Sequence, residues 1–67
     1  MKVLKVIEVL SSSKLNWEDA TKNAVEEAGK SVKGIKSVYI QDMSATVENG
    51  KVSEYRINAK ITFEVNS

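Results

Sequence analysis

The chain has 67 residues with ten basic and nine acidic side chains, and its net charge of +1 excludes a strong electrostatic field for nucleic acid or an anionic membrane. It has no Cys and no His, which excludes disulfides and thiolate metal centres and removes the usual zinc and copper ligands. A single domain of this size, residues 1–67, buries only about 60% of its unfolded surface, so partner subunits are the staple that remains.

The N-terminal stretch MKVLKVIEVL is interrupted by Lys5 and Glu8 and is followed by no small-residue cleavage site, so it reads as a strand and not a leader. No apolar run approaches the length of a membrane span, and the expected location is the cytoplasm. Within residues 2–10, apolar side chains fall at odd positions (Val3, Ile7, Val9) and at even ones (Leu4, Val6, Leu10). That pattern predicts a strand covered at least partly on both faces. Ser11, Ser12 and Ser13 are expected to end it.

A helix follows. Asn16 suits the N-cap, because its side-chain oxygen can accept from the free N–H groups of the first turn. Glu18 and Asp19 place negative charge at the positive end of the helix dipole. Trp17, Ala20, Ala24, Val25, Ala28 and Val32 form a narrow apolar stripe, mostly of small side chains, that lets the helix lie close to a sheet. Lys30 and Lys33 fall in the expected last turn, and Gly34 is expected as the left-handed stop. The predicted helix has roughly 16 residues and a length of about 24 Å. Gly29 inside it predicts close backbone approach, to the sheet or to a neighbouring subunit.

The remainder reads as one long hairpin turning at Asn49-Gly50, a pair suited to the positive φ angles of a type I′ turn. After the turn, Tyr55, Ile57, Ala59, Ile61, Phe63 and Val65 alternate with Glu54, Arg56, Asn58, Lys60, Thr62 and Glu64. Before it the parity switches, with Val38 and Ile40 even but Met43, Ala45 and Val47 odd. Because one residue of shift exchanges the faces of a strand, a bulge is expected near Gln41-Asp42. The expected fold is α+β, β1-α-β2-β3. The last strand lies in the middle of a three-stranded antiparallel sheet partly wrapped around one helix, with a right-handed crossover between the outer strands. Strands of about 13 residues, near 43 Å long, outrun a 24 Å helix. The uncovered surface calls for an oligomer.

Nothing in the chain reads as catalytic machinery, since no Cys or His nucleophile or base and no Gly-rich phosphate loop is present; the expectation is a protein that is not an enzyme. Trp17 reads as a packing anchor at the first helical turn. Lys30, Lys33 and Lys36 read as helix-end charges, with a phosphate-binding patch as the rival. Arg56 could hydrogen-bond a planar ligand or pair across a symmetry axis, and Asp42 beside the bulge could contact a polar ligand or a cation.

The segments KVIEVLSSS, NWEDATKNAVEEA, SVKGIKSVYIQD and VENGKVSEYRINAKITFEV together resemble the dodecin family over the whole chain. The resemblance implies a β1-α-β2-β3 protomer, a hollow homododecamer, and flavin storage or buffering at subunit interfaces. Flavin-binding members typically stack the ring on a Trp early in β2; here that position is Ser37. Tyr39 is expected on the same face as Ser37. Asp42 matches the family's acidic residue near the ribityl chain, and Arg56 matches the polar residue at the ring edge.

The resulting expectation is a dodecameric small-ligand binding protein, with flavin (FMN or riboflavin) as the first ligand. The cofactor-binding candidates are Ser37, Tyr39, Asp42 and Arg56. The alternative is a shell without flavin that holds calcium or magnesium, with Asp42 as metal ligand, or that serves a structural role. The expected partners are further copies of the chain and a small molecule, not nucleic acid or membrane.

Overall fold

Asn49 and Gly50 take φ angles of 51° and 76°, the pair of left-handed conformations a type I′ turn needs. Around that turn, in a computed structural model that describes residues 2–65, Ile35–Glu48 (β2) folds back on Lys51–Val65 (β3). Val3–Ser13 (β1) pairs with the other edge of β3, so the order is β1-β3-β2 with β3 antiparallel to both neighbours. A single helix, Trp17–Gly29 (α1), connects β1 to β2 and packs on one face. The architecture is the one expected from the sequence pattern.

The core lies where small helical residues meet the middle of β3. Ala20, Ala24 and Ala28 are buried along α1, as are Ile57, Ala59 and Ile61 on β3. Val9, Val38 and Ile40 pack against this group from the flanking strands, and Trp17 closes it at the helix start. Alanine lets the helix axis approach the sheet closely, and larger side chains there would have to displace Ile57 or Ala59.

The helix start follows its sequence signals. Asn16 Oδ1 accepts from the Asp19 amide at 2.6 Å, and Glu18 and Asp19 occupy the first turn. Its end does not. The helix has 13 residues, not the roughly 16 expected, and its last turn carries no basic residue. Lys30 is the C-cap, and the amides of Ser31 and Val32 both bond to the Ala28 carbonyl, so the chain turns off before Val32 and Lys33. Gly34 is left-handed, at φ 77°, but it serves the entry into β2. Its carbonyl accepts from the Glu64 amide at 2.9 Å, and a Cβ there would stand 2.9 Å from the Glu64 carbonyl oxygen. The close approach to the sheet expected at Gly29 is found at Gly34 instead; among the described residues beyond the adjoining helix, nothing lies within 4 Å of a Cβ at Gly29, which leaves the neighbouring-subunit alternative.

The three serines also depart from expectation. Ser11, Ser12 and Ser13 continue β1, opposite Ile57, Arg56 and Tyr55. The long β3 offers them a ladder, and pairing outweighs the weak strand preference of serine. Ser13 is buried. Its hydroxyl donates to Asp19 Oδ2 at 2.7 Å and accepts from the Leu15 amide at 2.9 Å, tying the strand end to the first helical turn.

The bulge is where the parity switch placed it. Ile40 faces Ala59 and Asp42 faces Asn58, leaving Gln41 as the extra residue. Two further irregularities lie at Ile35/Ser37 and Thr46/Val47. A helix of 13 residues is about 20 Å long, whereas the molecule extends 52 Å along its long axis. The hairpin overhang leaves Met43, Val47 and Val52 exposed. On β1, only the Ile7–Val9 side is partly covered, and Leu4, Val6 and Leu10 stand open on the other face.

Candidate functional site

Register decides which side chains meet. Ser37 pairs with Thr62, Tyr39 with Lys60, Asp42 with Asn58 and Ser44 with Arg56. On the other side of β3, Ser12 pairs with Arg56 and Leu10 with Asn58. Ile57, Ala59 and Ile61 point at the helix, so their neighbours Arg56, Asn58 and Lys60, and everything directly opposite these, line the face turned away from it. All four expected ligand residues share that face. Were Gln41 paired in an unbroken ladder, it would take the place opposite Asn58 and Asp42 would point at the helix instead.

A cavity of about 220 Å³ opens on this face, lined by Leu10, Ser11, Ser12, Asp42, Ser44, Arg56, Ile57 and Asn58. The structure thus brings Asp42 and Arg56 together. Ser37 and Tyr39 lie on the same face but outside the cavity lining, nearer the start of β2. Tyr39 is 67% exposed, an aromatic ring left largely open by the described residues. Among the described residues, Asp42 and Arg56 make no ion pair with each other or with any other group.

Asn58 is the site residue that sequence reasoning left among the outward polar positions. It sits in the central strand between Leu10 and Asp42. Its side-chain Oδ1 is buried and accepts no hydrogen bond from the described residues. A buried acceptor left without a donor costs about 1–3 kcal/mol, so the lone pairs of this oxygen suit a donor or a cation. The signal was present in the sequence as a polar residue in the middle strand, but only the register shows that it faces Asp42.

The helix start reaches the same region from behind. Trp17 Nε1 donates to the Ser44 carbonyl at 2.9 Å, and the indole packs edge-on against Tyr55 with ring centroids 4.9 Å apart. Trp17 is therefore a packing anchor, as expected. Two of the three helix-end lysines are tied to acidic partners. Lys30 Nζ lies 2.8 Å from Glu27 Oε2, and that hydrogen bond, with the charge behind it, raises the Lys30 pKa above its ordinary value. Lys36 pairs with Glu64 at 3.5 Å. The described residues contain no group of three or more Asp, Glu, His or Cys able to hold a metal ion, and no helix long and apolar enough to cross a membrane.

A family model described as Dodecin matches residues 3–66. The chain is 31% identical, over 65 residues, to a Mycobacterium tuberculosis protein described as calcium dodecin, a match covering 97% of this chain and 92% of that one. The crystal structure of the calcium dodecin of M. tuberculosis, described as a calcium-chelating antigen with a novel calcium-binding site, matches with a TM-score of 0.83 at 32% identity over 96% of this chain and 91% of that chain. A dodecin from T. thermophilus matches over the full length of both chains with a TM-score of 0.95 at 22% identity, a likeness of fold.

Proposed function

This chain belongs to the dodecin family, and from that premise we propose that it is a non-enzymatic homo-oligomer, a dodecamer, that sequesters a hard divalent cation of the calcium class on the sheet face turned away from its helix. The observation that carries the reading is the Asp42–Asn58 pair, a carboxylate facing an amide whose buried oxygen has no donor. Hard cations take oxygen ligands of these types. Ser44, on the same cavity wall, adds a hydroxyl oxygen. One chain brings a single carboxylate to the cavity, so the remaining ligands come from symmetry-related copies. Assembly answers a second need, because Leu4, Val6 and Leu10 on that face and Met43, Val47 and Val52 on the overhang are apolar groups that one chain leaves in water.

Flavin is the second reading, favoured by the exposed Tyr39 ring on the same face as Asp42 and Arg56. Ser37 offers no stacking surface, so this reading rests on Tyr39 alone for the ring contact.

The test is a calcium chloride titration of metal-stripped protein by calorimetry, with Asp42→Asn alongside and oligomer mass read by light scattering. The expected result is saturable binding to an assembled particle, weakened at least tenfold by the substitution. Heat-free titration of a colourless particle removes the cation. A yellow particle that ignores calcium moves the assignment to flavin.

A further inference from the structure

Ser44 has two ends with different tasks. Its side chain lines the cavity beside Asp42 and Arg56, while its backbone carbonyl accepts the Trp17 indole N–H at 2.9 Å. Trp17 sits on the helix side of the sheet against Tyr55, the residue next to Arg56. The sheet is one backbone thick, so the indole and the cavity lie back to back across Ser44.

The segment held this way is one that needs holding. β2 is an edge strand, and its pairing with β3 breaks register on both sides of Ser44, at Ile40/Asp42 and at Thr46/Val47. Bulges leave ladder positions unpaired and let the strand bend. The helix touches β2 less than either of the other strands. Among the described residues, no hydrogen bond other than that of Trp17 links α1 to β2.

We propose that Trp17 is the positioning residue of the ligand face: through the Ser44 carbonyl, its indole N–H holds the Asp42–Ser44 segment of β2 in its binding arrangement. The inference deepens the cation reading and rests on it for the ligand, but the tether itself is a property of the protein without ligand. Trp17 touches no ligand. It acts through the strand, and because it is the sole tryptophan of the chain, its emission reports on the segment it holds.

The variant is Trp17→Phe, which keeps an aromatic ring against Tyr55 and removes the donor. Three readings are taken on wild type and variant: oligomer mass, amide hydrogen exchange of residues 42–46, and calcium affinity. The expected result is an intact assembly, faster exchange confined to residues 42–46, and calcium affinity lower by about tenfold, the size of one lost hydrogen bond. Unchanged exchange with unchanged affinity overturns the proposal. Should wild type bind no calcium, the cation reading fails by itself, and exchange at residues 42–46 alone decides the tether: faster exchange supports it and unchanged exchange overturns it. Should the variant fail to assemble, wild-type Trp17 emission during the calcium titration decides, with a saturable shift that is lost in Asp42→Asn supporting the proposal and a static emission overturning it.

Discussion

Asp42 stands directly opposite Asn58, although Ile40, two residues earlier, stands opposite Ala59, only one residue along β3. That mismatch is the Gln41 bulge, and it carries both the core and the candidate site. Before it, even residues of β2 face the helix; after it, odd residues do.

Deletion of Gln41 would remove the bulge and leave a regular ladder. Ile40 would still stand opposite Ala59 and Asp42 opposite Asn58, so every side chain would keep its face and only the bend and added twist of the bulge would be lost. The expected outcome is a folded chain with its core intact but an altered or incomplete assembled particle, measured by thermal melts and light scattering. A particle of wild-type mass would show that assembly does not depend on the bend at Gln41.

Ser37→Trp restores a stacking surface on the face shared with Tyr39, Asp42 and Arg56. A ring stacked on an aromatic side chain contributes about 1–3 kcal/mol by analogy with bases. Riboflavin affinity, followed by fluorescence quenching, is expected to rise at least fivefold. No rise would mean that Ser37 does not reach the flavin-binding region of the assembly.

The two glycines at the helix exit are expected to respond in opposite directions. Gly34→Ala places a Cβ at positive φ and 2.9 Å from the Glu64 carbonyl oxygen. Left-handed strain alone costs about 1–2 kcal/mol, and the contact adds to it. Gly29→Ala meets open space within the chain and gains about 0.5–1 kcal/mol through backbone entropy. Thermal melts of the two variants check the sign. Destabilisation by Gly29→Ala would place a neighbouring subunit against that position.

Ala24→Leu tests the closeness of helix and sheet. Ala24 is 1% exposed and packs in the cluster with Ile57 and Ala59. Overpacking of this kind costs about 1–3 kcal/mol, so a lower denaturant midpoint is expected. Ala24→Ser, nearly the same size, brings a hydroxyl among apolar groups, and its fall in midpoint measures polarity apart from volume.

Local chemistry written along the chain was legible without coordinates. Asn16 before Glu18-Asp19 marked the helix start, Asn49-Gly50 marked the turn, and the change of parity after Ile40 marked the bulge. Each is a signal between residues close in the chain, where backbone preference and period suffice. The helix end was harder, because it depends on which amides the Ala28 carbonyl receives and on how the chain must turn to bring Gly34 beside Glu64.

What the sequence determined by itself was therefore the inventory of elements, their order, and the two faces of each strand. Tertiary structure decided which positions on different strands meet. Ser11 to Ser13 became strand because β3 was long enough to pair with them. Gly34, not Gly29, lies against other backbone because Glu64 arrives there from the far end of the chain. Asn58 became a site residue because the ladder set its unpartnered oxygen beside Asp42. Hydrophobic period is a property of neighbours in sequence, while register and burial are properties of distant segments brought together, and no single strand carries them.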